Sequence, residues 1–513
     1  MTHLCVAIFV SDVAQAKRDI AAAAEAGADL IELRIDDLTE AVDVQSIISD
    51  FDRRFILTCR PTWEGGHSEL SNEDRIRLLS TIAPTDDTVM VDIELRTLRE
   101  SGTGDFENRL IVSAHDFKGR PDRLTNLFNE LNAAPGEVAK VVWLARSIRD
   151  NVEVFELLQH RQRPTIALCM GEAGLISRVL AKKFGAFLTF ASLRDESGTA
   201  PGQVTIADMK RLYRWDALNA KTRVYGVVGW PIMHSMSPAI HNAAFEHVGH
   251  DGVYLPLLVQ SGYESFKAFM ESFLAFAPLD LSGLSVTIPH KENALRYLKE
   301  KGAAVEPLAE QIGAVNTVII DRDGDDVQLR GINSDYAAIL DTITTALGIA
   351  RGDLAGKRVA VIGAGGTGRT AVAALAAQGA TVVVYNRTKE RADELAMEFD
   401  GKTGKVVAAR LEKLCDSCCE IFINTTSLGM HPNVDASAFG DRIPELSDKT
   451  LVFDTVYNPM ETKLLKQAKT AGAKTVGGVE MFVRQAVRQF EAWTNHPAPG
   501  DVMRRVIENR LRK

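Results

Sequence analysis

The chain has 513 residues, which at roughly 100–200 residues per domain predicts about two to four packed domains. Its composition, 46% hydrophobic and 25% charged, is near the globular average and argues against a disordered chain, a collagen or a disulfide scaffold. The net charge of -9 argues against nucleic acid as the main partner, because proteins that bind nucleic acid usually carry a basic surface.

The N-terminal residues 2–10 predict a buried strand rather than a secretion signal, because no cationic segment precedes the apolar run and polar residues end it early. The six cysteines do not have the spacing of a secreted disulfide framework. We therefore expect a cytoplasmic location. Cys415 and Cys418 have the spacing of a metal or redox pair, but no second ligand pair lies nearby. A structural role is favoured, and no metal site is predicted.

Short apolar runs alternate with polar segments of helical period through residues 1–215, which is typical of buried parallel strands alternating with helices. About eight such runs in a segment of this length match the expectation for a (β/α)₈ barrel. The predicted strands are Leu4–Phe9, Leu30–Ile35, Phe55–Arg60, Val89–Leu95, Leu110–Phe117, Lys140–Ala145, Thr165–Met170 and Phe187–Leu193.

Charged side chains lie inside or at the ends of these predicted strands. A charge inside a buried strand is costly unless it is paired, so a barrel tolerates a ring of charges mainly where a site needs it. The alternative is an inward-facing ion-pair network without catalytic function. The residues are Glu32, Arg34, Arg60, Asp92, Glu94, His115 and Lys140, the last at the expected start of the sixth strand.

A polar stretch after Trp215 predicts a domain boundary near residue 220. A new apolar strand begins at Val224, and the signals of a second α/β unit continue to about residue 335. A helix then leads to the predicted strand 358–362, which is followed directly by a glycine-rich loop.

That loop has the G-x-G-x-x-G pattern and precedes an alanine-rich helix predicted at 370–378. Its glycines permit a tight turn and close backbone approach, and the N-terminus of the helix binds a pyrophosphate through free N–H groups. We therefore predict a dinucleotide site. The loop residues are Gly363, Ala364, Gly365, Gly366, Thr367 and Gly368.

The next predicted strand, 381–385, ends in a basic segment. An NAD site usually has Asp or Glu here to bind the ribose hydroxyls. This chain has Asn386, Arg387 and Thr388, with Arg391 further on, and guanidinium groups suit a 2′-phosphate. NADP is therefore preferred to NAD. The alternative is that the two arginines only cover the start of the following helix.

Hydroxyl, amide, lysine and aspartate side chains cluster at several predicted strand ends between residues 225 and 335. Such a set can hydrogen-bond a carboxylate and several hydroxyls of one small molecule. Lys291 with Asp335 would form the acid/base pair for hydride chemistry at a carbonyl.

Residues from about 224 to 513 resemble the shikimate dehydrogenase family, which is NADP-dependent and has the same Ser-x-Ser turn, S-V-T-x-P-x-K segment and glycine loop. The resemblance implies that Ser235 and Ser237 bind the substrate carboxylate, and that Lys291 and Asp335 are the catalytic pair. It also implies substrate contacts from Thr287, Asn316, Asp335, Tyr457, Gln485 and Gln489, and cofactor or substrate contacts from Gly478 and Met481. Quinate-preferring relatives tend to lose a Ser or the Thr from these positions, so shikimate is favoured.

Residues 1–217 resemble type I 3-dehydroquinate dehydratase in the order of their short motifs: E-L-R at 32–34, R-P-T-W-E-G-G at 60–66, S-A-H-D-F at 113–117, I-S-R at 176–178 and A-P-G-Q at 200–203. The resemblance implies that Lys140 forms an imine with the substrate ketone and that His115 is the general base and acid. It implies that Glu64 supports His115 and that Arg178 binds the substrate carboxylate. It also implies that Glu32, Arg34, Arg60 and Gln203 bind the ring hydroxyls, and that Thr199 lies in a lid segment where relatives commonly have Ser.

A lysine amine needs burial or nearby cations to free its lone pair for attack. Arg34, Arg60 and the barrel interior are expected to supply that environment to Lys140.

Together these features predict an α/β chain with a (β/α)₈ barrel over 1–219, a substrate-binding domain over 222–335 completed by helices 482–513, and a Rossmann-type NADP domain over 336–481. The resemblances imply dehydration of 3-dehydroquinate and then reduction of 3-dehydroshikimate to shikimate, in a fusion known from plants. Small-molecule acids are the expected partners, with no nucleic acid or membrane. One alternative is a quinate-preferring dehydrogenase fusion. The other is a non-enzymatic metabolite-sensing regulator, which the retained catalytic residues argue against.

Overall fold

The computed structural model describes residues 1–38, 44–83, 87–102, 106, 109–195, 202–324, 326–401 and 404–512. Within these ranges the chain forms three β-sheets, each flanked by helices. None of the described helices is long and apolar enough to cross a membrane.

The first sheet is a parallel barrel of eight strands. They are β1 (His3–Phe9), β2 (Leu30–Arg34), β3 (Arg54–Thr58), β4 (Val89–Glu94), β5 (Arg109–Asp116), β6 (Val138–Leu144), β7 (Thr165–Met170) and β8 (Leu188–Ala191). The helices between and after them are α1 (Val13–Glu25), α2 (Val44–Ser49), α3 (Asn72–Ile82), α4 (Leu95–Ser101), α5 (Leu124–Ala133), α6 (Asp150–Gln159), α7 (Leu175–Val179) and α8 (Ile206–Arg211).

The barrel strands follow chain order around the ring, and β1 also pairs with β8. The ring is nearly closed between β7 and β8, where the N–H of Phe187, just before β8, donates to the carbonyl of Thr165 (2.7 Å). The prediction of eight strands is confirmed, and their ends lie within two residues of the expected ones. One detail was wrong: Lys140 is the third residue of β6 and not the first, because Val138 and Ala139 already pair with β5.

The second sheet is mixed. Its strands are β9 (Arg223–Gly229), β10 (Gly252–Leu258), β11 (Leu281–Val286), β12 (Ala304–Val305), β13 (Thr317–Asp323) and β14 (Asp326–Ile332). Its helices are α9 (Ser237–Val248), α10 (Tyr263–Ala275), α11 (Lys291–Glu300), α12 (Pro307–Ile312) and α13 (Ser334–Leu347). The strand order is β10-β9-β11-β13-β14-β12, with β13 antiparallel to both neighbours.

The third sheet is parallel. Its strands are β15 (Arg358–Ile362), β16 (Thr381–Asn386), β17 (Lys405–Arg410), β18 (Ile421–Asn424), β19 (Leu451–Asp454) and β20 (Lys474–Val476), and the remaining helices are α14 (Gly366–Ala377), α15 (Lys389–Phe399), α16 (Lys463–Thr470), α17 (Gly478–Thr494) and α18 (Gly500–Leu511). The order β17-β16-β15-β18-β19-β20 is that of a doubly wound dinucleotide-binding fold, whose ligand site lies where the strand order reverses.

The helix after the glycine loop starts earlier than the sequence suggested. It begins at Gly366, inside the glycine run, and not at residue 370. Glycine has poor helix propensity, which hid the first turn. A side chain at Gly368 would place its Cβ only 2.2 Å from the carbonyl oxygen of Gly363, so this position requires glycine for helix and strand to pack closely.

The barrel and the second sheet share one hydrophobic core. Phe155 and Phe184 of the barrel stack with a centroid distance of 4.1 Å, and Phe276 of the second unit lies 5.8 Å from Phe184. Lys183 Nζ donates to the carbonyl of Thr222 (2.9 Å) across the same boundary. The C-terminal helices return to the second sheet, where Trp493 Nε1 donates to the carbonyl of Val318 (3.1 Å).

Candidate active sites

The predicted barrel residues surround one cavity at the carboxyl ends of the strands, where the active sites of such barrels lie. Apolar and aromatic side chains, including Phe117, Val142 and Phe190, complete its wall. Thr199 lies outside the described residues. The predicted residues that line the cavity are Glu32, Arg34, Arg60, Glu64, His115, Lys140, Arg178 and Gln203.

Lys140 lies in the barrel interior with 3% of its surface exposed. Its Nζ donates to Asp92 Oδ2 (2.8 Å), lies 3.7 Å from Glu32 Oε1 and sits 4.6 Å from the centre of the Phe190 ring. The sequence predicted cations around this amine, so that part of the expectation was incomplete: the nearest charged group is an anion. A buried ammonium without a counter-charge would be too costly to desolvate.

Arg60 is the centre of a buried ionic network. Its guanidinium donates to Asp92 Oδ1, to Glu94 Oε1 and to Ser113 Oγ, each at 2.8 Å. Arg75, on α3, pairs with the second oxygen of Glu94 (2.8 Å). Burial acts to lower the pKa of Arg60, but the charges of Asp92 and Glu94 raise it overall, so Arg60 is a permanent cation in the floor of the cavity.

His115 and Glu64 form a hydrogen-bonded pair. Both the backbone N–H of His115 (3.1 Å) and its ring Nδ1 (2.8 Å) lie within hydrogen-bond distance of Glu64 Oε1. Burial, with the charges of Arg60 and Lys140, holds the pKa of His115 well below its usual value, whereas burial raises the pKa of Glu64 to about 8. The pair therefore carries no positive charge near neutral pH and can accept a proton.

Arg178 is a fully buried cation of the barrel. It lies on α7 with 1% exposure, and its Nε has no hydrogen-bond partner within the described ranges. Among the described residues no carboxylate pairs with it, and burial lowers its pKa to about 10. Because an unpaired buried charge is unfavourable, the position suits an incoming anion such as a substrate carboxylate.

A second cavity lies between the second and third sheets. It has a volume of about 200 Å³, against about 60 Å³ for the barrel cavity. The predicted residues that line it are Ser235, Ser237, Thr287, Lys291, Asn316, Asp335, Thr367, Tyr457, Gly478, Met481, Gln485 and Gln489.

Lys291 and Asp335 are the charged side chains of this cavity within the described part of the chain. Lys291 is the first residue of α11 and Asp335 lies in the first turn of α13, and Lys291 Nζ donates to Asp335 Oδ2 (2.5 Å). The two helix starts therefore bring together groups that are 44 residues apart. The arrangement can supply and replace one proton at a bound carbonyl oxygen.

The far wall of the second cavity is a relay of neutral hydrogen bonds. Tyr254 OH donates to Ser285 Oγ (2.6 Å), and Ser285 Oγ donates to Gln489 Oε1 (2.7 Å). Gln489 Nε2 in turn donates to Thr317 Oγ1 (3.1 Å), which donates to Asn316 Oδ1 (2.7 Å). The relay fixes the side chains that face the cavity.

The glycine loop reaches the edge of this cavity. A Cβ on Gly366 would lie 3.8 Å from Lys291 Cδ, so the start of α14 adjoins Lys291. Gly365, which caps that helix, provides no side-chain hydrogen bond, and a Cβ there would meet no atom within 4 Å. Free helix N–H groups and open space fit a pyrophosphate.

The basic segment after β16 fits a 2′-phosphate. Asn386 links it to the loop, because Asn386 Oδ1 accepts from the N–H of Ala364 (3.3 Å) and Nδ2 donates to the carbonyl of Thr388 (2.7 Å). Arg387 and Arg391 are exposed, and neither forms an ion pair within the described ranges. Lys389 between them is already paired with Asp393 (2.6 Å).

Sequence reasoning missed several residues of these sites. Asp92 and Glu94 were noticed as buried charges without an assigned partner, and Arg75 carried no signal because it lies on a helix. Ser285, Thr455 and Phe482 also line the second cavity. Each lies in a segment already noticed in the sequence, but none of the three was assigned a role.

Models of known protein families match successive parts of the chain. The family model of type I 3-dehydroquinase matches residues 4–220. The model of the shikimate dehydrogenase substrate binding domain matches 227–318, that of shikimate/quinate 5-dehydrogenase matches 345–461, and that of the shikimate 5′-dehydrogenase C-terminal domain matches 478–508.

Individual relatives match one or both parts. The chain is 37% identical over 519 residues to the chloroplastic bifunctional 3-dehydroquinate dehydratase/shikimate dehydrogenase of Arabidopsis thaliana, covering 97% of this chain and 83% of that protein. It is 41% identical to the NADP(+) shikimate dehydrogenase of Methanosarcina acetivorans, covering 56% of this chain and 97% of that protein. A crystal structure of shikimate dehydrogenase in complex with NADP+ matches with a TM-score of 0.51 at 34% identity, covering 58% of this chain and 98% of that one.

The fold and the two cavities are therefore those of a two-site α/β enzyme, with a barrel lyase and a dinucleotide-dependent oxidoreductase in one chain. The chain belongs to the family of bifunctional 3-dehydroquinate dehydratase/shikimate dehydrogenases.

Proposed function

We propose that the chain catalyses two consecutive reactions with the residues described above. The barrel removes water from 3-dehydroquinate, and the second unit reduces the product, 3-dehydroshikimate, to shikimate with NADPH. The observation that carries the proposal is the presence in one chain of a buried lysine beside a histidine–carboxylate pair and of a Lys291–Asp335 pair (2.5 Å) beside a dinucleotide loop.

In the barrel, Arg178 binds the substrate carboxylate and so orients the ring. The amine of Lys140 attacks the ketone and forms an imine, which acidifies the adjacent carbon. His115, neutral in the resting site, takes a proton from that carbon and returns one to the departing hydroxyl.

The other barrel residues hold these groups and the substrate. Glu64 orients His115 through the hydrogen bond between its Oε1 and the ring Nδ1 (2.8 Å). The remaining polar groups bind the ring hydroxyls: Glu32, Arg34, Arg60 and Gln203. Thr199, which lies outside the described residues, is proposed as a further substrate contact.

In the second unit, NADPH supplies the hydride when bound. Lys291 donates a proton to the carbonyl oxygen of the substrate, and Asp335 holds Lys291 in place and accepts from a ring hydroxyl. Ser235 and Ser237 bind the substrate carboxylate. The other substrate contacts are Thr287, Asn316, Tyr457, Gln485 and Gln489.

The cofactor is held by backbone and by charge. Residues 363–368 bind the pyrophosphate at the start of α14, and Arg387 and Arg391 bind the 2′-phosphate with Asn386 and Thr388. Gly478 and Met481 contact the nicotinamide side of the cavity.

We also propose the domain division 1–219, 222–335 with 482–513, and 336–481, and a reducing, cytoplasmic location. All six cysteines are free in the structure, which supports a reducing compartment. The plant relative is a chloroplast protein by name, so cell fractionation is the test of location.

Replacing the barrel lysine tests the proposal directly. Lys140→Ala removes the nucleophile, so dehydration is expected to be abolished, and borohydride with substrate should no longer attach the substrate carbon skeleton to the chain. Reduction of 3-dehydroshikimate should remain at the native rate, since the second cavity does not contain this residue.

The matched control is Lys118→Ala, an exposed lysine that follows β5, for which both activities and the trapped mass should be native. A trapped adduct that persists on Lys140→Ala would show that another lysine forms the imine.

A further inference from the structure

We propose that Asp92 is the counter-ion of the reacting nitrogen throughout the dehydration. The inference rests on the proposed imine at Lys140 and names a further residue for that chemistry: a carboxylate that keeps the imine nitrogen protonated. In this role Asp92 touches the reacting atom itself, since its Oδ2 accepts a hydrogen bond from Lys140 Nζ (2.8 Å).

The hydrogen bonds of Asp92 divide cleanly between its two oxygens. Oδ1 accepts from Arg60 Nη2 (2.8 Å) and from Ser113 Oγ (2.6 Å), while Oδ2 accepts from Lys140 alone among the described contacts. The side chain is fully buried. Arg60 and Ser113 therefore fix the carboxylate so that its second oxygen faces the amine.

The other acidic groups are less suited to this task. Glu32 lies 3.7 Å from Lys140 Nζ, and its nearer oxygen already accepts from Thr58 Oγ1 (2.8 Å). Glu94 shares Arg60 with Asp92 but forms no ion pair with Lys140. Among the described residues, the other charged or titratable groups that line or adjoin this cavity are Glu32, Glu94, Arg34, Arg60, Glu64, His115, Arg178 and, on β1, Cys5.

The charge at this nitrogen is the same before and after imine formation. The ammonium of Lys140 and the ketone of the substrate give a protonated imine and one water: two N–H bonds and the C=O bond break, and the C=N bond and two O–H bonds form. The nitrogen keeps one proton and one positive charge. Asp92 Oδ2 accepts from that proton in the imine as it does from the ammonium in the resting site.

Protonation of the imine nitrogen determines how strongly the imine acidifies the adjacent carbon. A protonated imine draws electrons from the adjacent carbon–hydrogen bond when His115 removes the proton, whereas a neutral imine does so weakly. Burial by itself would raise the pKa of Asp92, but the charges of Arg60 and Lys140 hold it well below its usual value, so the carboxylate stays ionised. An opposite charge at hydrogen-bond distance favours the cationic form by about 1 to 3 pH units.

Asp92→Asn tests the role, because it keeps the shape and removes the charge. In this variant, the fall of kcat for dehydration on the alkaline side of the pH profile (the alkaline limb) should move to lower pH by about 1 to 3 units. Glu94→Gln is the matched control: the same strand and the same Arg60 partner, without a contact to Lys140. It should slow the reaction and leave the limb in place.

Cyanoborohydride gives a second readout that does not need turnover, since it reduces protonated imines and spares neutral ones. The yield of adduct at Lys140, formed with 3-dehydroshikimate and measured by mass spectrometry against pH, should fall at lower pH in Asp92→Asn than in the native chain. Reduction of 3-dehydroshikimate by the second site of the same molecules reports that the chain is folded.

Where Asp92→Asn yields no folded protein, the native chain and Asp92→Glu decide. In the native chain, the yield of reduced adduct should persist to a higher pH than the yield of the free imine that the same ketone forms with butylamine in solution. Asp92→Glu should lower kcat for dehydration and leave the alkaline limb of its pH profile at the native position. Three results would each overturn the role of Asp92. The first is an alkaline limb at the same pH in the native chain and in Asp92→Asn. The second is a native adduct yield that falls at the same pH as that of the free imine, and the third is a displaced limb in Asp92→Glu. Absence of any adduct at Lys140 in the native chain would instead overturn the proposed imine.

Discussion

The two cavities solve the problem of holding a polar acid in different ways. In the barrel, cations and anions alternate in a buried network, with Lys140, Arg60 and Arg75 set against Asp92 and Glu94. In the second cavity, the described lining has one ion pair and otherwise neutral amides, hydroxyls and apolar side chains. The barrel site is smaller and is built within one barrel-shaped sheet, and the second lies between two sheets.

Under the proposed mechanisms, the difference follows from how each reaction moves electrons. The barrel would stabilise the electron pair of the substrate carbanion with a positive charge on a lysine nitrogen, so its interior needs a fixed counter-charge. The second site receives a hydride from a cofactor, so it needs one proton donor and neutral groups that hold the substrate. Changes that add or remove charge should therefore affect the two sites unequally.

The largest expected effect is at the proton donor of the second site. Lys291→Met keeps much of the side-chain volume and removes the proton, so kcat/KM for reduction should fall by about 10²–10⁴-fold. Dehydration should be unchanged, because Lys291 lies outside the barrel cavity. The measurement is the initial rate of each half-reaction on the same preparation.

Lys299→Met is the matched control on the same helix. Its side chain is 52% exposed and pairs with Glu310 at the surface, so both rates should be native. A reduction rate in Lys291→Met within a few fold of native would contradict the assignment of the proton donor.

The next largest effect is on the pH dependence of stability, and it concerns a buried neutral histidine near the second cavity. His241 stacks on Tyr254 at 4.4 Å, and burial lowers its pKa from 6.5 to about 3. Between these values the unfolded chain binds more protons than the folded one, so stability is complete above the upper value and is lost as the pH falls. At about pH 4.5 this amounts to about 3 kcal/mol.

His241→Phe keeps the ring stack and removes the titration. The free energy of unfolding in urea should therefore fall less between about pH 7 and pH 4.5 in this variant than in the native chain. His247→Ala, on the exposed face of the same helix, should show the native loss. Equal losses in native and His241→Phe would show that His241 does not carry this part of the acid sensitivity.

The smallest expected effect concerns the cofactor phosphate. Replacing Arg387 and Arg391 together with Ala removes charge-assisted hydrogen bonds, so KM for NADPH should rise by about 10–100-fold while KM for NADH changes little. Lys389→Ala is the control, because Lys389 is already paired with Asp393. A similar rise for both cofactors would contradict the 2′-phosphate assignment, and dehydration should be untouched in every case.

The barrel was predictable because buried parallel strands form contiguous apolar runs, and each of the eight runs became a strand. The doubly wound sheet was predictable from its glycine loop and the strand before it. The sequence pattern did not predict the start of α14, because this helix begins at Gly366 and glycine has poor helix propensity.

The partners of the site residues were less predictable than the residues themselves. Asp92 on β4 meets Lys140 on β6 because both side chains face the barrel interior across the single strand β5, and Ser285 meets Gln489 across 204 residues because α17 returns to the second sheet. Neither pairing has a local sequence signal. Hydrophobic pattern identifies which face of a strand is inside, whereas only the three-dimensional arrangement determines which charge lies opposite.

The proposed function needs both sites of one chain to work in sequence. The most direct measurement is the absorbance of NADPH at about 340 nm when the purified chain receives 3-dehydroquinate and NADPH and no other enzyme, with shikimate identified by chromatography. With 3-dehydroquinate as the starting compound, NADPH should be consumed after a short lag, and one shikimate should form per NADPH consumed. Stable absorbance with 3-dehydroquinate, and again with 3-dehydroshikimate as the starting compound, would contradict the proposed function.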